Sequence, residues 1–276
     1  MTYKTVVALF ENEESAPVVA QAAIDIGSIH NGHIIGLHGE AVDPLPIYSP
    51  FDVPDPTLMA SIYEAAAKKR ADLEGIFNKT VGASGIPNEW RVYRGTSGST
   101  STGMVETTRC ADLVISGQPR AGFPSEFNDL LFESGRPILF IPWIARKFEG
   151  FNRVVIAWDG SREAARATFD SIPFLRVAKA VEIFSVDPQD TRNQSASMSG
   201  SDIAASLDRH GIKTTIATIA SSGLATSAII ENHVSDVSAD LLVMGAYSHS
   251  RFRETVFGGV TRTLLESMTV ATLMSR

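Results

Sequence analysis

The residues of this chain best placed to do chemistry are glycines in a turn between an apolar strand and an amphipathic helix. Met244-Gly245-Ala246-Tyr247-Ser248-His249-Ser250-Arg251 leads on to Phe257-Gly258-Gly259-Val260-Thr261-Arg262. Ahead of the turn, Leu241-Leu242-Val243-Met244 reads as a parallel strand covered on both faces. Behind it, Val260, Leu264, Leu265 and Met268 recur at helical spacing. Glycine lets the backbone approach a ligand, and the first amides of a helix point outward unpaired. The chemistry this placement suits is the holding of a phosphate. The chain has no G-x-x-x-x-G-K-[ST] loop, no G-x-G-x-x-G and no G-x-S-x-G to suggest a different site.

Counting from Gly245, the third residue on is Ser248. Nine residues (249 to 257) intervene before Gly258, Gly259, Val260 and Thr261. This spacing resembles the nucleotide-binding signature of the universal stress protein family, G-x-x-G, nine residues, G, then Ser or Thr. Two positions depart from it: Ser248 stands for the second glycine, and Gly259 for the hydroxyl residue, with Thr261 keeping a hydroxyl further along. If residue 248 needs positive φ, serine costs about 1 kcal/mol or more relative to glycine, and the loop is remodelled.

The elements that must position this turn are legible as an internal repeat. Ala111-Asp112-Leu113-Val114-Ile115-Ser116-Gly117 matches Ala239-Asp240-Leu241-Leu242-Val243-Met244-Gly245 at an offset of 128 (239 − 111). Lys4 to Glu11 matches Asn152 to Asp159 at an offset of 148 (159 − 11). The 20-residue difference places an insertion in the first copy, assigned to the proline-rich stretch 42–56, which is expected to be a long ordered or lid-like loop. After its glycine the first copy is six residues shorter and lacks the glycine pair, so one nucleotide pocket per chain is expected, in the second half.

Strands are expected near 4–10, 33–38, 90–94, 112–117 and 137–142, and again near 153–158, 180–186, 213–219, 240–245 and 270–275. Helices are expected over 15–29, 57–80, 161–175 and 226–238. This alternation demands parallel sheets with right-handed crossovers. The predicted fold class is α/β, two tandem doubly wound domains, each a five-stranded parallel sheet flanked by helices. The domains run over 1–145 and 151–276, with a polar linker between them. The resemblance covers nearly the whole chain and implies that residues 138–141 and 272–275, the last strands, pair across a pseudo-twofold axis.

Ligands on such sheets sit beyond the carboxyl ends of the strands. There the resemblance assigns Asp159 to ribose or a metal, against its plainer reading as a helix N-cap, with Ser161 able to cap in its place. It assigns Val186 to adenine, and Met244, Gly245, Ser248, Gly258, Gly259, Val260 and Thr261 to the rest of the pocket. The implied ligand is ATP or AMP, with Mg or Mn bridging the phosphates to Asp159. The implied role is a stress-response signalling or protective module with a protein partner and, as a further level, a homodimer. The competing reading is an interaction or scaffold protein of the same fold that binds no nucleotide.

Other residues take plainer readings. The six histidines lack zinc-site spacing, and His249, Arg251 and Arg253 read as solvated loop positions. Residues 95–101 read as a polar loop after the third strand. Cys110 reads as a small buried hydrophobe, and Trp90, Trp143 and Trp158 read as core or interdomain packing. No Ser-His-Asp order, paired carboxylates or activated cysteine is recognisable, so no catalytic residue is assigned and slow ATP hydrolysis is the most that is expected. The net charge of −7, without a dense basic run, gives no case for nucleic acid. One cysteine, no signal-peptide pattern and no apolar run of membrane length lead to the expectation of a cytoplasmic protein.

Overall fold

The structure, a computed structural model, describes residues 2–43, 55–119, 125–145, 148, 150–188, 200–247 and 259–276. Two compact units divide the chain. One is built on Tyr3–Gly117 and takes in Phe123–Ser134; the other is built on Gly135–Arg276 and takes in Gln118.

In the first unit the strands β1 (Thr5–Leu9), β2 (His33–Ala41), β3 (Asn88–Gly95) and β4 (Leu113–Gly117) lie in the order β3-β2-β1-β4, all parallel. The helices are α1 (Ala16–His30), α2 (Pro56–Thr80), α3 (Ser97–Arg109) and α4 (Ser125–Glu133). Val6, Val7, Ala8 and Leu9 are fully buried, as are Leu113, Val114 and Ile115. Such continuous apolar runs are what strands covered on both faces require. Under α2, Phe10, Phe77 and Trp90 cluster with ring centroids 5.2 to 5.6 Å apart. Gly36 makes room for them: a Cβ there would stand 2.6 Å from the Phe77 ring and 2.7 Å from Trp90.

The second unit contains β5 (Ile138–Ile141), β6 (Arg153–Ala157), β7 (Ala180–Val186), β8 (Thr215–Ile219), β9 (Leu241–Gly245) and β10 (Ala271–Ser275), in the order β5-β10-β9-β6-β7-β8. Its helices are α5 (Arg162–Asp170), α6 (Ile172–Leu175), α7 (Ser201–Arg209), α8 (Thr226–Asp236) and α9 (Gly259–Ser267). Strand β5 runs antiparallel to β10, with Thr272 opposite Phe140 and Met274 opposite Ile138, the pairing the pseudo-twofold expectation required. The other strand pairs in this unit are parallel.

The repeated Ala-Asp-Leu serves the same purpose in both units. Asp112 accepts hydrogen bonds from the backbone N–H groups of Lys4 (2.7 Å) and Thr5 (2.9 Å), and Asp240 does the same for Asn152 (2.8 Å) and Arg153 (2.9 Å). The amides of Asp112 and Asp240 return bonds to the carbonyls of Thr5 and Arg153. Each carboxylate thereby sets where two neighbouring strands begin.

Several sequence expectations are corrected here. Residues 95–101 are not a loop throughout, because α3 starts at Ser97 despite its Ser, Thr and Gly content. Thr96 is its extended N-cap residue, and Met104, Val105 and Thr108 bury against the sheet, so tertiary packing outweighs weak propensity. Cys110 is exposed, since it sits at the C-cap of α3 where the chain has already left the core. Trp143 is 48% exposed, with its indole N–H donating to the Gln118 carbonyl at 2.6 Å. The helix expected over 161–175 breaks at Ser171 into α5 and α6, with Pro173 in the first turn of the second. The central part of the proline-rich loop (44–54) and linker residues Arg146, Lys147 and Glu149 lie outside the described residues.

The carboxylate clamp gives a direct test. Removing charge-assisted acceptors from two strand-edge amides, as in Asp240→Ala, is expected to lower unfolding free energy by about 1–3 kcal/mol. Asp112→Ala should cost a similar amount. Urea unfolding followed by far-UV circular dichroism measures both, and a loss under a few tenths of a kcal/mol in both variants would show that the clamp is ornamental.

Candidate nucleotide cleft of the second unit

At the carboxyl ends of β6, β7 and β9 the chain forms a cleft of about 210 Å³. Its wall comprises Ala157, Trp158 and Asp159 from the end of β6, Phe184 and Val186 from β7, and Thr226 and Ile230 from α8. Met244 and Gly245 from β9 and Val260 and Thr261 from α9 complete it. Strand alternation explains two of these: Phe184 and Val186 are two residues apart and so share a face. Helix periodicity explains two more, since Thr226 and Ile230 are one turn apart.

Six of the nine sequence-assigned residues, Asp159, Val186, Met244, Gly245, Val260 and Thr261, meet in this cleft. Gly259 is exposed as the first residue of α9 and is not on the wall. Ser248 and Gly258, with His249, Arg251 and Arg253, lie outside the described residues. Sequence reasoning missed Ala157, Phe184, Thr226 and Ile230, and it read Trp158 as core or interdomain packing, whereas Trp158 is among the residues lining the cleft. The period-two pairing with Val186 was the signal that pointed to Phe184.

Each polar group has a defined job. Ser161 caps α5, its Oγ accepting from the Ala164 amide at 3.1 Å. Asp159 is exposed at the rim, with Oδ1 accepting from the Ser161 amide at 2.9 Å. The N-cap role thus belongs to Ser161, and the Asp159 carboxylate stands at the cleft mouth. Gly245 is required by packing as well as by approach, because a Cβ there would stand 2.6 Å from the Ala164 nitrogen at the start of α5. The first unit repeats this: a Cβ on Gly117 would stand 2.6 Å from Ser15 Cβ, just ahead of α1.

The loop is anchored from inside. Tyr247 is buried and takes φ of +60°, a left-handed conformation uncommon for a bulky residue, and burial pushes its phenol up to about 12. Its amide donates to Thr261 Oγ1 at 3.3 Å, so the hydroxyl expected to cradle phosphate accepts a bond from the loop backbone. Helix α9 is fixed at its other end by Gln118, whose Nε2 donates to the carbonyls of Leu265 (2.9 Å) and Glu266 (3.1 Å). The aromatic wall is braced as well. His233 of α8 stacks on Phe184 with centroids 3.8 Å apart and planes 2° from parallel, and its Nε2 lies 3.0 Å from Glu182 Oε1.

Among the described lining residues Asp159 is the charged one; the rest of the wall is apolar apart from Thr226, Thr261 and the indole N–H of Trp158. An apolar slot edged by one carboxylate and a helix N-terminus suits a flat heterocycle with a hydroxylated or phosphorylated tail. No group of three His, Cys, Asp or Glu that could hold a metal occurs among the described residues. A single carboxylate fits a magnesium-like ion only where phosphates and water complete its shell.

The first unit fills the equivalent place. Gly39 and Val186 correspond, each six residues beyond the strand partner of Thr5 or Arg153 (39 − 33 and 186 − 180). Met104 of α3 covers Gly39, its sulfur 2.7 Å from where a Cβ would lie. On the other face of β2, toward α2, Arg70 and Glu40 pair at 2.5 Å, and buried His38 Nδ1 contacts the Phe10 carbonyl at 2.7 Å. Burial holds His38 below the usual imidazole range.

Doubly wound α/β architecture with a crevice at the carboxyl strand ends is the class these observations define. More narrowly, the fold is that of the tandem universal stress proteins. A universal stress protein from Archaeoglobus fulgidus superposes with a TM-score of 0.72 at 14% identity, covering 98% of each chain. A protein from Pseudomonas aeruginosa described as a putative universal stress protein gives 0.62 at 11% identity, covering 99% of this chain and 93% of that one. The cytoplasmic domain of a prokaryotic cation chloride cotransporter gives 0.50 at 11% identity over 100% and 96%. No protein-family model matches the chain, and no curated protein is significantly similar to it. The fold alone therefore does not choose a function.

An acid-stability test probes the scaffold beside the cleft. Asp187, immediately after β7, accepts from the Ser221 amide at 2.9 Å, and the Ser221 side chain and amide hold its carboxyl below the usual range. Asp43 repeats the contact on Ser97 of the first unit, at 2.8 Å to the amide and 2.5 Å to Oγ. A carboxyl whose folded pKa is depressed adds stability that is present above its unfolded value, about 3.9, and is lost as pH falls through the folded value. Asp187→Asn is expected to melt below the wild type at pH 7, with the gap closing below pH 3.9. Thermal melts across pH measure this, and a constant gap at every pH contradicts it.

Proposed function

We propose that the second unit binds one adenine nucleotide, ATP or AMP, and acts as a signalling or protective module in a stress response. The observation that carries this reading is convergence. Asp159, Val186, Met244, Gly245, Val260 and Thr261, far apart in sequence, line one cleft at the carboxyl ends of three parallel strands. The heterocycle would lie against Phe184, Val186 and Ile230, and the ribose and phosphates would extend toward Asp159 and the start of α9. A divalent ion, Mg or Mn, supplies charge neutralisation between the phosphates and Asp159 when bound. The described cleft holds no paired carboxylates and no base–nucleophile pair, so binding with at most slow hydrolysis is the chemistry assigned.

The domain limits proposed are 1–145 and 151–276, and the compartment proposed is the cytoplasm. No helix among the described residues is long and apolar enough to cross a membrane. A second reading, a scaffold of the same fold without nucleotide, is favoured by one feature: Thr261 Oγ1 already accepts a bond from the Tyr247 amide.

Titration calorimetry with AMP and with ATP in Mg is expected to give one site per chain. Asp159→Ala should weaken Mg-ATP about tenfold, about 1.4 kcal/mol, and weaken AMP less, because the metal bridge is lost. Phe184→Ala should weaken both alike by removing the shared aromatic wall. Wild-type protein that carries no nucleotide on denaturation and ignores both ligands supports the scaffold reading instead.

A further inference from the structure

The two units end their sheets in opposite ways. Strand β3 ends the first, and three of its eight residues are charged: Glu89 pairs with Arg91 at 2.6 Å and faces His33 at 3.5 Å, while Arg94 lies 3.7 Å from Glu40. That is how a sheet edge is protected from pairing with another chain. Strand β8 ends the second and, among the described residues, pairs with β7 alone. Its sequence is Thr-Ile-Ala-Thr-Ile, without a charge or a proline, and no charged residue occurs between Lys213 and Glu231. Four of its five residues are exposed, including Ile216 at 43% and Ile219 at 46%. Ile216 and Ile219 fall on opposite faces of the strand, so each face carries a partly exposed isoleucine. A five-residue edge strand with four β-favouring residues forms a template for strand addition.

We propose that β8 is a self-association edge, pairing antiparallel with β8 of a second copy about a twofold axis through Ala217. The sequence fits its own reverse in this register. Thr215 lies opposite Ile219 of the partner subunit and Ile216 opposite Thr218 of the partner subunit, so each isoleucine meets a threonine and no charge is buried. A twofold contact uses the same surface on both copies, so one unprotected strand suffices and the assembly closes at two. A hetero-partner would need a matched strand that nothing on this edge specifies. This association is independent of nucleotide binding.

Light scattering during gel filtration tests it on the full chain, with circular dichroism and melting temperature as folding controls. Wild type is expected at twice the 29.7 kDa chain mass, and Ile216→Lys and Ile219→Lys at the single-chain mass with unchanged spectra. Register is read by oxidation in a Cys110→Ser background. Ala217→Cys sits on the axis and should form a linked dimer. Thr215→Cys lies about 14 Å from its twin, given about 3.4 Å per residue, and should not. A wild-type monomer at every concentration overturns the proposal, as does a dimer that survives both lysine variants without crosslinking at 217. Crosslinking at 215 but not 217 overturns the antiparallel register.

Discussion

A carboxylate at the head of the fourth strand of each half is the contact on which the rest of the structure depends. Asp112 and Asp240 take the first amides of β1 and β6 and return their own to the same strands. A one-residue slip in a strand inverts every side chain, so fixing the start of two neighbours fixes which residues face the core along both. It also fixes where they end. The crevice at the carboxyl ends of β6 and β9 inherits its geometry from a clamp at the opposite ends.

Above that frame the two halves diverge in loop length and in the side chains at the crevice. Both place a glycine at the end of the fourth strand because the start of the helix that follows the first strand passes against it, through the Ser15 side chain in one and the Glu163–Ala164 backbone in the other. Both tie the exit of the second strand to the exit of the third through an Asp–Ser contact. In the first unit Met104 of α3 lies over Gly39, the counterpart of Val186. In the second, Val186, Phe184 and Ile230 leave the crevice open. The shortened loop of the first copy has a structural task, since Gln118, the counterpart of Ala246 in the repeat, caps the end of α9.

The nine-residue spacing brought Gly245 and Thr261 together as an expectation, yet their roles differ from those of a bare phosphate cradle. Gly245 is also a packing necessity, and Thr261 secures a left-handed Tyr247 from within. Strain of this kind, about 1–3 kcal/mol per residue, persists where the surroundings over-determine it. Here those surroundings are α9 and the buried phenol.

What the sequence determined by itself was the architecture and most of the cleft. Apolar runs, the 128- and 148-residue offsets and the spacing from Gly245 to Thr261 are local or periodic, and such patterns survive without knowledge of neighbours. Hence the strands were legible, while the meeting of residues 138–141 with 272–275 and the six cleft residues came from the family resemblance that the glycine spacing carries. What only the tertiary structure decided was every feature set by contacts distant in sequence. Residues 97–101 become helix because α3 packs on the sheet, with Asp43 bound to Ser97 at its start. Cys110 faces solvent at the end of α3, and Trp158, just past β6, lines the cleft. Phe184 becomes a wall because His233, 49 residues on (233 − 184), stacks behind it. Side-chain partners across such distances are chosen by packing in three dimensions, and no period in one dimension encodes them.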